Sequence, residues 1–199
     1  MPVGHRELMA AAIERDGAAQ RALLAGQEPL AREAFASAAE FYRRSWELAA
    51  ATSYGRLIGM LKSAVLAGQG EQEAAYARAE LAEDDSRSPA AAYVQALAAL
   101  ILDERDSARE WAQRMRPGGE AFARAADAIQ ALAERDGAAY ADALERIVRD
   151  FEQRSQHLTG VAIADTAAML QELASRLGLA APVDSRVLPK LRSTDGRPD

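Results

Sequence analysis

Along this chain apolar residues recur at every third or fourth position, which puts them on one stripe of a helix, and no segment alternates as a half-buried strand does. Gly, Pro and Asp interrupt that period often enough to predict about nine helices. The first runs from about His5 to Ala25 with Leu8, Ala12, Ala19, Ala22 and Leu23 inward, and Gly26-Gln27-Glu28-Pro29 breaks it. The second runs from Pro29 to about Ala51, with Leu30, Ala34, Phe35, Ala38, Tyr42 and Trp46 as its stripe. Tyr54 to Ala67 and Glu71 to about Glu83 make the next pair across Gly68-Gln69-Gly70, and Ser88 caps a fifth helix that starts at Pro89. Asp106 or Ser107 caps a short sixth, which stops at Pro117-Gly118-Gly119. Glu120 to Glu134 and Ala138 to Leu158 form a further pair, the latter with Tyr140, Leu144, Ile147, Phe151 and Leu158 inward. A ninth, Ile163 to Leu177, ends at Gly178, a natural left-handed stop.

About a quarter of the residues are Ala, which suits close helix packing. The expected fold is all-α, a stack of antiparallel helix pairs over residues 1–179, arranged as a right-handed superhelix or a compact helical array. Pro182, Pro189, Gly196 and Pro198 cannot sustain a helix, so residues 180–199 are expected as a non-helical tail. Within it Val187-Leu188-Pro189 docks on the body and the last seven residues are disordered.

With no Cys, the chain has no disulfide, thiolate nucleophile or cysteine-based zinc site. A net charge of −6 opposes general binding to nucleic acid, which needs Lys and Arg to neutralise phosphates. The start lacks the basic-then-apolar layout of a signal peptide. The most apolar stretch, Leu57 to Gly68, is about half a membrane span and is broken by Lys62. A cytoplasmic protein, away from membranes, is the expectation. Of 24 basic residues only Lys62 and Lys190 are Lys, a bias expected of a GC-rich bacterial genome.

Leu24-Ala25-Gly26-Gln27-Glu28-Pro29-Leu30-Ala31, followed by Phe35 and Ala38, resembles the second half of a tetratricopeptide repeat. In that family a turn Gly precedes a small residue, an aromatic and a second small residue, the spacing that Gly26, Ala31, Phe35 and Ala38 keep. Gly70, Ala75, Ala79 and Ala82 keep the small residues and lose the aromatic. The resemblance implies a protein-interaction scaffold with a concave face and no chemistry. Separately, Glu14-Arg15-Asp16-Gly17-Ala18-Ala19 is repeated as Glu134-Arg135-Asp136-Gly137-Ala138-Ala139.

The chain lacks a P-loop, a Gly-x-Gly-x-x-Gly, a His-Glu-x-x-His, a di-iron Glu-x-x-His and a Gly-x-Ser-x-Gly. No cofactor, metal or catalytic residue is therefore expected. The acidic run Glu80, Glu83, Asp84 and Asp85 reads as a solvated helix end. Trp46 and Trp111 read first as core anchors. Tyr42, Arg43 and Arg44 beside Trp46 nevertheless make the candidate aromatic and Arg contact patch, the composition that interface hot spots favour. His157 falls off its helix's stripe beside Arg146, Asp150 and Arg154, the pattern of ion pairs on an exposed helix. The alternative is a polar groove in which His157 and Arg154 meet Asp165, itself a natural acid for a helix N-terminus. The function expected is a non-enzymatic module that binds a protein or peptide. A toxin-neutralising immunity-type protein is the second reading and a small-ligand binder or enzyme the third. One structural feature separates them: an interaction module presents a groove without convergent titratable groups, whereas a ligand site or enzyme presents a deep pocket holding perturbed acids or His157.

Overall fold

The computed structural model describes residues 3–81 and 88–189. Among them lie nine α-helices and no strand: α1 (His5–Leu24), α2 (Glu28–Glu47), α3 (Gly55–Leu66), α4 (Glu71–Glu80), α5 (Pro89–Ile101), α6 (Arg105–Met115), α7 (Glu120–Glu134), α8 (Gly137–Glu152) and α9 (Asp165–Arg176). The all-α expectation holds, and α7 occupies the predicted span. Ser88 caps α5 by accepting from the Ala91 amide, with Pro89 in the first turn. Gly178 adopts the left-handed conformation past α9. The acidic run at Glu83, Asp84 and Asp85, Ala82 of the second repeat-like hairpin and the last seven residues lie outside the described residues.

Four expectations need correction. Helix α8 ends at Glu152, not Leu158, because residues 152–157 are all polar and Leu158 itself is 72% exposed, so an extended helix would bury nothing there. Helix α2 stops at Glu47 and leaves Leu48 in solvent. Its stripe runs through Ala31, not Leu30, which is 54% exposed. Helix α6 starts at Arg105, ahead of both predicted caps, and Asp106 pairs with Arg109 instead.

Short connections set successive helices side by side: α1 packs on α2, α2 on α3, and α5 through α8 each on the next. Helix α9 departs from this order. It packs against α3 as well as α7 and α8, joining residues more than 100 positions apart. In an open solenoid each repeat touches only its neighbours, so α9 makes this a compact array. Arg176 fixes its end by donating to the Val65 and Gln69 carbonyls, both at 3.2 Å. The segment after α9 docks as expected. Val187 and Leu188 are buried, and Gln171 bonds both backbone groups of Ala181 while accepting from the Tyr140 hydroxyl. That neutral network is fully satisfied and pins the segment to α8 and α9.

Candidate functional site

A cavity of about 300 Å³ opens between α1, α3, α5, α7, α8, α9 and the loop 153–164. Part of its lining is polar. Helix α3 buries Leu57, Met60, Leu61, Ala64 and Val65, and Lys62 on their flank turns toward α9. Its ammonium contacts the Asp165 carboxylate and donates to Thr166 Oγ1 at 3.1 Å. Asp165 sits in the first turn of α9, where free amides and the helix dipole favour an acid. Burial pushes the Lys62 ammonium toward neutrality, but Asp165 and its other neighbours outweigh this and hold its pKa above the ordinary lysine value.

Asp16 reaches the same cavity from the middle of α1 and is only 8% exposed. Its carboxylate accepts from Tyr42 Oη at 3.2 Å and from Ser63 Oγ at 3.1 Å. Burial, partly opposed by Lys62, pushes its pKa up to about 6. Gly59 makes the Tyr42 bond feasible, because a Cβ there would come within 2.8 Å of the Tyr42 ring. Tyr93 Oη is buried beside this group, near the Thr166 hydroxyl, without a well-formed hydrogen bond. Burial raises the Tyr93 and Tyr42 pKa values, so both phenols stay neutral.

The walls are apolar, chiefly Phe122, Ala125, Ile147, Phe151, Val161 and Ile163. At the mouth Asp150 receives two guanidiniums, Arg124 at 2.7 Å and Arg154 at 2.5 Å. Arg154 lies 3.7 Å above the Phe151 ring, on which His157 also stacks. The loop 153–164 closes the α1 side, where Thr159 Oγ1 donates to Gln20 Oε1 at 2.5 Å.

The structure splits the predicted site residues. Arg154, His157 and Asp165 line one cavity, but Arg154 and His157 do not meet Asp165 as the groove alternative expected: Arg154 pairs with Asp150 and Asp165 with Lys62. His157 reaches it from a loop and not from a helix face. Tyr42 and Trp46, at 1% and 5% exposure, are core residues and present no contact patch. The Trp46 indole is satisfied by Glu80 at 2.9 Å. Arg43 is exposed but covers the Tyr76 ring at 4.1 Å and pairs with Glu47. The reading of the sequence missed Asp16, Lys62 and Tyr93. A signal existed for Lys62: a lysine inside a strongly apolar helix of a chain that elsewhere almost always uses arginine.

Among the described residues no group of acids and histidines is arranged to hold a metal ion, and no helix is long and apolar enough to cross a membrane. Comparison of the chain with protein families, with curated proteins and with solved structures finds no match.

Proposed function

We propose that this protein is a small-molecule binding protein whose ligand enters the cavity between α1, α3, α5, α7, α8 and α9. One observation carries the reading: an apolar-walled cavity of about 300 Å³ is also lined by a part-buried Lys62–Asp165 pair, the buried carboxylate of Asp16 and the Tyr93 hydroxyl, which lacks a well-formed hydrogen bond. Apolar walls with a few convergent polar groups are the usual composition of small-ligand sites, and this volume is at the small end of their range. Burying charged groups is costly, and a fold that needed only packing would fill the space with apolar side chains. A protein-binding module gains little support, because both aromatic anchors of its patch, Tyr42 and Trp46, are internal.

The test is a thermal-shift screen of a broad small-molecule panel on the full chain, repeated on Ala121→Trp. Ala121 lines the cavity from an exposed position in α7, so a tryptophan there obstructs the cavity without entering the core. A ligand present at about 100 times its Kd stabilises by about 2.7 kcal/mol. That corresponds to a rise in Tm of roughly 5–10 °C for a chain of this size. The rise should vanish in Ala121→Trp while the unliganded Tm stays put. A panel that stabilises neither protein, or both equally, would overturn the proposal.

A further inference from the structure

We infer that the ligand is an amine, bound as an ammonium against Asp16 with its apolar body along the walls of the cavity. The inference rests on the small-molecule reading above and goes further by naming the charge the site lacks.

The argument is a census of charges facing the cavity. Each cation there touches a carboxylate: Lys62 touches Asp165, Arg124 touches Asp150 and Glu120, and Arg154 touches Asp150. Of the three carboxylates facing it, Asp150 and Asp165 are in contact with cations. Asp16 is not. Among the described residues its hydrogen-bond partners are the neutral hydroxyls of Tyr42 and Ser63. Lys62 acts on it from beyond contact distance, while Asp165 opposes it from α9. A carboxylate withdrawn from water without a counter-ion is unfavourable, and a cation delivered to the cavity removes that cost. A second carboxylate or a phosphate would meet Asp16, Asp165 and Asp150, and among the described residues that line the cavity no Lys or Arg is left unpaired to receive it.

The surroundings of Asp16 suit an ammonium in geometry as well as charge. Tyr42 donates to one carboxylate oxygen and Ser63 to the other, which fixes the group while leaving acceptor capacity on each. Gln20, one helical turn further along α1, also lines the cavity and directs its carbonyl oxygen toward Thr159. Phe122, Ile147, Phe151, Val161 and Ile163 then enclose a hydrocarbon or aromatic body. The recognised class is a primary or secondary amine on a compact apolar frame.

The experiment uses the full-length chain and three probes of matched shape: cyclohexylmethylamine, cyclohexanemethanol and cyclohexanecarboxylate, titrated by calorimetry. The amine should bind at least about ten-fold tighter than the alcohol, the effect of one productive buried charge pair. The carboxylate should bind more weakly still. In Asp16→Asn, which keeps a hydrogen-bonding group in place, the amine should lose about ten-fold and the alcohol should be unchanged. A second readout needs no variant. Asp16 is about half protonated at pH 6, so amine binding there should release about half a proton, read from titrations in two buffers of different ionisation enthalpy. A merely structural Asp16 would release none. Equal or tighter binding of the alcohol or the acid, abolished by Ala121→Trp, overturns the amine inference and leaves the pocket reading intact. Absence of binding by all three overturns it too, and the broad screen then decides the pocket reading separately.

Discussion

Glu14-Arg15-Asp16-Gly17-Ala18-Ala19 and Glu134-Arg135-Asp136-Gly137-Ala138-Ala139 are the same six residues in two different structures. The first lies wholly inside α1. The second is a corner: Glu134 ends α7, Arg135 turns left-handed at φ 60°, and Asp136 caps α8 by accepting from the Ala139 amide at 3.0 Å. Asp-Gly offers the backbone a turn or cap in either place. In α1 the offer is declined because the Asp16 carboxylate is engaged by Tyr42 and Ser63, and because α1 packs along α2 on both sides of it. At the corner the Arg135 guanidinium reaches the Leu177 carbonyl at 3.4 Å and Asp136 is free to serve its own amides. One copy places an acid where it stabilises the fold, the other where it strains the fold, and that contrast marks the site. The largest expected effect tests the charge balance of the strained copy. Lys62→Met leaves Asp165 without its ion-pair partner, removes the more distant attraction of Lys62 on Asp16, and should cost about 3 kcal/mol in chemical denaturation at pH 7.5. A cost below about 1 kcal/mol would mean that the pair is effectively solvated.

Next in size, Asp16→Asn should raise stability at pH 7.5 by about 1–2 kcal/mol. A pKa raised from 3.8 to about 6 means that the folded state holds a proton the unfolded state has released, so ionised Asp16 costs on the order of 2–3 kcal/mol above pH 6. The loss of one carboxylate acceptor offsets part of the gain. As pH falls through 6 the folded protein recovers that proton and the cost of ionised Asp16 falls by about half at pH 5, so the net advantage of Asn should nearly vanish there. Replacing Asp136 has the opposite sign. Asp136→Ala removes the cap and should cost about 1 kcal/mol. Denaturant midpoints for both variants at pH 7.5 and pH 5 check this, and a destabilised Asp16→Asn would place Asp16 among the structural groups.

The two copies also show how far the sequence could be read. Helices were legible because their stripes repeat: Tyr140, Leu144, Ile147 and Phe151 mark α8 unaided. Its end was not, since the period still admits Leu158, and only the lack of a neighbour to bury that residue stops the helix. The site was half legible. Arg154, His157 and Asp165 stood out as polar groups near one another in the chain, and they line the cavity. Asp16, Lys62 and Tyr93 come from α1, α3 and α5, and α9 adds Asp165 and Thr166 to them by packing back on α3, a contact across more than 100 residues that no local pattern encodes. Tyr42 and Trp46 fit both the stripe of α2 and the composition of a contact patch; packing against α1, α3 and the rest of the core decides for the stripe.

The smallest effect concerns the glycine that follows each Asp. Alanine is favoured over glycine in a helix by about 0.5–1 kcal/mol, through backbone entropy and without any new contact. At Gly137 an added Cβ would meet Leu179 at 3.6 Å, an ordinary contact, so Gly137→Ala should gain roughly 0.5 kcal/mol. At Gly17 the Cβ would meet the Thr159 carbonyl oxygen at 3.3 Å and its Cβ at 3.4 Å, so the loop 153–164 must give way. The propensity gain there is consumed, and Gly17→Ala should be neutral or lose up to about 1 kcal/mol. The two differ in function as well. Displacing Thr159 disturbs its bond to Gln20 and with it the α1 side of the cavity, so Gly17→Ala should weaken the ligand-induced rise in Tm while Gly137→Ala leaves it unchanged. Paired melting curves with and without ligand measure both quantities at once. Equal gains in stability and equal ligand shifts would show that the close approach of loop to helix at Gly17 contributes nothing to the cavity.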